Sequence, residues 1–184
     1  MNEIVRFWRN LLADPGRVSA IAPSGAALAA LITREISPRD MPILELGPGT
    51  GVFTSQLLRR GVPEDRLVLV ESGLEFAEAL RMRFPQATVL HMDARRLGTV
   101  ASFEVGAVVS GLPLLSMKTT TVMRILRGSF LRMRAGGGFY QFTYGYRCPV
   151  RPAILARLGL QSTRIGWVMS NLPPASVYRI TKAA

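Results

Sequence analysis

Glu45-Leu46-Gly47-Pro48-Gly49-Thr50-Gly51 is the stretch on which the fold of this chain turns. Ile43 to Leu46 reads as a buried strand and Val52 to Leu58 as the opening of a helix, so the three glycines fall in the turn between them. Glycine there removes the Cβ and lets the backbone approach a ligand through dihedrals that other residues resist. Glu71 follows Gly51 by 20 residues and closes a second apolar run, Leu67-Val68-Leu69-Val70. A carboxylate so placed can hold both hydroxyls of a ribose. A dinucleotide-binding turn would need G-x-G-x-x-G, and the third position of that frame is Val52. The spacing is instead E-x-G-x-G-x-G.

Outward from this turn, strand and helix alternate. Strands are expected at 43–46, 67–71, 87–91, 105–110 and 138–144, with helices at 51–60, 73–84 and 120–134. Pro149 and Pro152 mark a loop before a short helix to about Leu158. Two more strands, 162–168 and 176–182, are split by Asn171-Leu172-Pro173-Pro174 and read as a hairpin adding one antiparallel strand. The alternation predicts an α/β fold, a seven-stranded mostly parallel sheet with helices on both faces. Ahead of it, Ile4, Phe7, Trp8, Leu11 and Leu12 form one apolar helical face, flanked by Arg6 and Arg9 and stopped by Asp14-Pro15-Gly16. Ser24 is expected to cap a second helix running to about Glu35, which Ser37-Pro38 ends. One domain spanning 1–184 is expected, with residues 1–36 as an N-terminal helical segment that serves as a lid or docks on a membrane.

Composition narrows the function classes. Apolar residues make up 48% of the chain, too many for a disordered tail. No apolar run reaches the roughly 18 residues of a membrane span, and no signal-peptide pattern opens the sequence. Cys148 is the only cysteine, which excludes an internal disulfide and a cysteine metal cluster; no metal is expected, and a cytoplasmic location is. The net charge of +11 is uneven. Residues 1–104 carry twelve arginines against twelve acids, whereas residues 105–184 carry nine arginines, two lysines and no Asp or Glu. The back half therefore holds the whole excess, which points to a polyanionic partner, either nucleic acid or an anionic bilayer.

Other residues carry chemistry of their own. Asp93 follows the third strand, where its carboxylate can accept an adenine amino group or simply cap the loop. His91 is the only histidine and reads as structural. Tyr140, Phe142 and Tyr144 share one face of the 138–144 strand by alternation. Tyr144, Tyr146 and Arg147 fall at its C-terminal end, where open α/β sheets bind ligands. A phenolic pair beside Arg147 suits a cationic head group and its phosphate.

E-x-G-x-G-x-G with Glu71 resembles motif I of the class I S-adenosylmethionine (SAM) methyltransferases, whose ligand has no pyrophosphate. Ser110-Gly111-Leu112-Pro113-Leu114 closes the fourth strand, where such enzymes present the acceptor. Methyltransferases of exocyclic base amines typically carry (Asp/Asn)-Pro-Pro-(Tyr/Phe) or Asn-Leu-Pro-Tyr there, the aromatic stacking on a flipped base. Here Ser110 stands for the amide and Leu114 for the aromatic, which disfavours nucleic acid as substrate.

Over nearly its whole length the chain resembles the bacterial phospholipid N-methyltransferases, which convert phosphatidylethanolamine to phosphatidylcholine. Val18-Ser19-Ala20-Ile21-Ala22-Pro23-Ser24, motif I, Ser110-Gly111-Leu112-Pro113-Leu114, Gln141-Phe142-Thr143-Tyr144-Gly145 and Asn171-Leu172-Pro173-Pro174-Ala175-Ser176-Val177-Tyr178 carry the resemblance. It implies a Rossmann-like class I fold with N-terminal amphipathic helices, SAM as cofactor and S-adenosylhomocysteine as product. It further implies a phospholipid substrate, a monomer, and peripheral attachment to an anionic membrane, the inner face of the plasma membrane. On this footing Glu45, Gly47, Gly49, Thr50, Gly51, Glu71, Ser72, Asp93, Ala94 and Ser110 are the candidate cofactor residues. Ser110, Gly111, Tyr144 and Tyr146 are the candidate catalytic residues, and Ser24, Tyr140 and Arg147 the candidates for holding substrate. The rival readings are an RNA adenine dimethyltransferase, an ornithine-lipid N-methyltransferase and an inactive SAM-binding module on a lipid surface.

Overall fold

The computed structural model describes residues 18–100, 103–169 and 174–183, with side chains from residue 25 onward. Seven strands form one sheet: β1 (Ile43–Leu46), β2 (Leu67–Glu71), β3 (Thr88–His91), β4 (Val105–Ser110), β5 (Met133–Tyr144), β6 (Leu160–Val168) and β7 (Ala175–Lys182). Their order is β3-β2-β1-β4-β5-β7-β6. The first five are parallel, and β7 inserts antiparallel between β5 and β6. Five helices join them: α1 (Val18–Ile32), α2 (Val52–Arg59), α3 (Leu74–Arg83), α4 (Thr119–Arg132) and α5 (Pro152–Arg157).

β1 and β4 are buried at every position because both faces of these strands are covered. Along β1, alternate side chains enter opposite cores. Ile43 packs with Leu28 and Ile32 of α1 and Leu57 of α2. Leu44 and Leu46 pack with Ile125 and Leu126 of α4 and with Ile154 of α5. The chain winds outward from β1 through β2 to β3, then returns to β4 on the other side of β1. Ligand crevices open at such a reversal, beyond the carboxyl ends of the strands. Here the two strand ends are tied together, Gly111 N–H donating to Leu46 O at 2.8 Å.

Three expectations need correction. Ser24 does not cap a helix but lies inside α1, which starts six residues earlier and ends at Ile32 rather than near Glu35. The run Val18 to Ile32 has no acid or base, so nothing in it signals a start at the serine. The fourth long helix ends at Arg132, and Met133 and Arg134 already belong to β5. Met133 pairs with Val105 and Gly138 with Ala107, so the strand takes up extra residues between them. Gly136, at φ +79°, supplies the backbone freedom for that irregularity. The amphipathic helix expected over residues 4–12 and the Asn171-Leu172-Pro173 segment lie outside the described residues. None of the described helices is long and apolar enough to cross a membrane.

Candidate active site

The turn from β1 into α2 is held by carboxylates rather than by side-chain caps. Glu71, at the end of β2, accepts from Gly49 N–H at 3.1 Å through Oε2 and from Gly73 N–H at 2.8 Å through Oε1. Two backbone donors therefore fix its orientation, while a carboxylate keeps further lone pairs for a ligand. Gly47 and Gly49 both have positive φ, +66° and +55°. At Gly47 a Cβ would lie 2.7 Å from Leu112 Cδ2, so a side chain there would push into the β4 loop. At Gly49 nothing lies within 4 Å of that position, leaving room for a ligand to approach bare backbone. Thr50 and Gly51 complete the turn, and Gly51 N–H donates to Pro48 O.

A cleft of about 250 Å³ opens beside this turn. Gly47, Glu71, Ser72, Asp93, Ala94 and Leu112 contribute to its walls, so six of the sequence candidates or their neighbours meet there. Met92, Met117 and Ile125 give it an apolar floor suited to a flat heterocycle. Asp93 has its carboxylate engaged locally. It accepts from Arg95 N–H at 2.8 Å and from Arg95 Nε at 2.7 Å, and the hydrogen bond to Arg95 holds its carboxyl below the usual range. The loop-capping role is thus realised in the structure, with the residue still lining the cleft. His91 bonds Ser72 O at 3.2 Å through Nε2, a structural contact on the outer strand.

Glu45 takes the opposite side of the sheet. It is fully buried; Oε2 accepts from Thr54 Oγ1 at 2.7 Å, and Oε1 has no partner among the described residues. Burial pushes its carboxyl up to about 7, against the opposing effect of the Thr54 bonds, with the Glu71 charge adding to the rise. A buried carboxyl oxygen without a partner is unusual in a folded protein. It fits a site whose ligand brings a donor.

The end of β4 is built differently. Ser110 is buried, and its Oγ accepts from Leu112 N–H at 3.3 Å, which closes the turn into the loop. Gly111 leaves no room for a Cβ, which would stand 2.6 Å from Gly47 O. Gln141, not singled out as a site residue from sequence, pins the same loop: its Nε2 donates to Leu112 O at 2.9 Å and to Phe142 O at 2.8 Å. Only its buried polarity within an apolar strand hinted at this. A small apolar cavity beyond, about 30 Å³, is walled by Leu112, Leu115, Phe142, Thr143, Tyr144 and Pro149.

The tyrosines separate. Tyr144 is half-buried at this cavity, its ring edge-on to Phe142 at 5.7 Å, and burial raises its phenol. Tyr146 and Arg147 are exposed just past the strand, and Tyr146 O accepts from Tyr178 Oη at 2.5 Å. Tyr140 lies four residues back and is buried in the α1-side core, its phenol raised by burial and by the Glu35 charge. At roughly 3.3 Å per residue it stands about 13 Å from Tyr144, too far to share a ligand head group. The Ser24 side chain lies outside the described residues. Among those residues no cluster of His, Cys, Asp or Glu could hold a metal.

No family model matches the chain. An ornithine lipid N-methyltransferase of Singulisphaera acidiphila is 28% identical over 97% of this chain and 95% of its own length. A ribosomal RNA small subunit methyltransferase A of Methylococcus capsulatus is 33% identical, over 59% of this chain but only 39% of its own length. Among solved structures, a TehB-like SAM-dependent methyltransferase from Corynebacterium glutamicum superposes with a TM-score of 0.65 over 98% of this chain and 96% of that one, at 18% identity. The fold is that of the class I SAM-dependent methyltransferases.

Proposed function

We propose that the protein transfers methyl groups from SAM to the primary amine of a membrane aminolipid. The reading takes phosphatidylethanolamine and its mono- and dimethyl forms as substrates, with phosphatidylcholine as end product. One observation carries it: a glycine turn and Glu71 open onto a cleft whose acceptor side is apolar and holds no acid. Glu71 would hold the ribose hydroxyls, the Gly47 to Gly51 backbone the amino-acid end, and Glu45 the ammonium through its unpaired oxygen. When bound, SAM supplies an electrophilic methyl.

The chain's own part concerns the acceptor amine. An ethanolamine ammonium must shed its proton before the nitrogen can attack. With no carboxylate in residues 105–184, the proton passes to bulk water before the amine is enclosed, and the apolar walls favour that loss by disfavouring the charged amine. Leu112, Phe142 and the Tyr144 ring exclude water, while the Ser110 and Gly111 carbonyls orient the nitrogen. Tyr144 and Tyr146 face the head group as it gains permanent charge.

The near full-length likeness to an ornithine lipid enzyme favours one second reading, in which the amine is that of an ornithine lipid. The RNA reading has less support, since Leu114, where a base would need an aromatic, is buried. Labelled SAM with vesicles of phosphatidylethanolamine, vesicles of ornithine lipid and an RNA hairpin separates all of these. Mass spectrometry should find label in phosphatidylethanolamine; label confined to RNA, or no transfer at all despite S-adenosylhomocysteine binding, sinks the lipid reading.

A further inference from the structure

The carboxyl edge of the sheet is apolar beyond what packing requires. Because β5 and β6 both run antiparallel to β7, they end at the same edge, alongside the end of β4. Leu115, Tyr146, Trp167 and Met169 stand there with 57%, 64%, 56% and 63% of their surfaces in water. They line one rim of the sheet, in the loop after β4 and at or just past the ends of β5 and β6. Leu115 walls the same cavity as Tyr144, and Tyr146 is held by Tyr178. Tyr178 pairs with Arg164, whose guanidinium lies 5.2 Å over the Trp167 ring. Singly exposed apolar residues need no explanation, but a group of four along one edge of the sheet does.

We propose that this rim inserts into an anionic lipid surface, bringing the cleft mouth to the level of the head groups. The proposal rests on the aminolipid reading and adds where the bilayer sits. Charge complementarity selects the occupant. The rim residues all come from the acid-free half, and Lys118, Arg147 and Arg151 are exposed around them. Tryptophan and tyrosine favour the boundary between head groups and acyl chains, because one end of each is apolar and the other wet. Leu115 and Met169 gain from acyl chains and nothing from a phosphodiester backbone. Arg164 over Trp167 can keep its charge among lipid phosphates while its stem and the ring go deeper.

The test uses the full chain with Trp8→Phe, which leaves Trp167 as the only tryptophan. On vesicles of phosphatidylglycerol and phosphatidylethanolamine, Trp167 emission should shift to the blue and be quenched by lipid brominated high on its acyl chains. Trp167→Ser with Met169→Ser should lower vesicle partitioning about a hundredfold, near tenfold for each buried apolar side chain lost. Methylation of vesicle lipid should fall in step. S-adenosylhomocysteine affinity and methylation of a monomeric short-chain aminolipid should not change, which shows the double variant is folded. Unshifted Trp167 emission on bound vesicles, unaltered partitioning of the double variant, or RNA binding that the same variant weakens would each overturn the rim. If the rim enters lipid but no aminolipid, monomeric or bilayer-borne, is methylated, it is the functional reading that fails.

Discussion

The two halves of the sheet solve different problems. Around β1 to β3, carboxylates are spent on backbone N–H groups, and the loops they hold are fixed before any ligand arrives. Glu71 binds Gly49 and Gly73, and Asp93 binds Arg95. From β4 to β7 there is not one acid, and the strand ends are shaped by a glutamine, tyrosines and apolar walls. On the proposed function the front half is organised for a polar ligand of fixed shape, the back half for a group that must be dried and partly discharged. A substitution in the front should change cofactor affinity or folding. One in the back should change the acceptor and leave the cofactor alone.

Glu71→Ala should break this division most visibly. It frees two backbone donors and, on the proposed function, removes the ribose partner, a loss of about 3 kcal/mol or more for charge-assisted bonds. S-adenosylhomocysteine titration should then show about a hundredfold weaker binding. Binding within a few-fold of the parent would mean the glycine turn holds itself.

Glu45 gives the next effect, and its sign depends on pH. The folded chain keeps a proton on Glu45 up to about 7, whereas the unfolded chain loses it near the ordinary 4.5. Between these values the unfolded state binds fewer protons, so this residue's contribution to stability is largest at low pH, falls as pH rises to about 7, and then levels. Glu45→Gln should remove that fall, a difference of about 3 kcal/mol between variant and parent across pH 4.5 to 8. Urea unfolding of both proteins without cofactor reads it directly, and parallel curves would show the burial is relieved another way.

The fold was open to sequence reading because its signals are local. Four-residue apolar runs, glycines at fixed offsets and prolines at loop starts place the strands within a few residues, as Ile43–Leu46 and Val105–Ser110 show. Ser24 misled because a capping residue type and a helix interior look alike when the flanking residues are all apolar. Tyr140 misled in another way. Alternation correctly put it on the face of Phe142 and Tyr144, but a shared face is not a shared site: four residues back along the strand, it is claimed by the α1 core. Gln141 was missed because its partners, Leu112 O and Phe142 O, are backbone atoms, one of them 29 residues away in the chain.

Gln141→Leu sharpens the comparison from the back half. It would leave the half-buried Leu112 carbonyl without its donor, at about 1 kcal/mol, and loosen the loop that carries Gly111. The expected outcome is a raised KM for aminolipid and a lower unfolding midpoint, with S-adenosylhomocysteine affinity kept. If cofactor affinity drops as much as acceptor affinity, the loop belongs to both halves and the division fails at β4.

The smallest effect should come from Tyr144→Phe. Its ring rests edge-on against Phe142 and walls the apolar cavity, and both contacts survive the substitution. Only the hydroxyl goes. Burial raises the phenol above its ordinary value near 10, so at neutral pH that group is an uncharged dipole and never a base. It can orient toward an amine or a growing cation, worth about 0.5–1.5 kcal/mol for a neutral hydrogen bond. Turnover should therefore fall about three- to tenfold, with stability and S-adenosylhomocysteine binding unmoved and the pH profile of the rate unchanged in shape. A shifted profile would make Tyr144 part of the proton path; an unchanged rate would leave the apolar wall alone to prepare the amine.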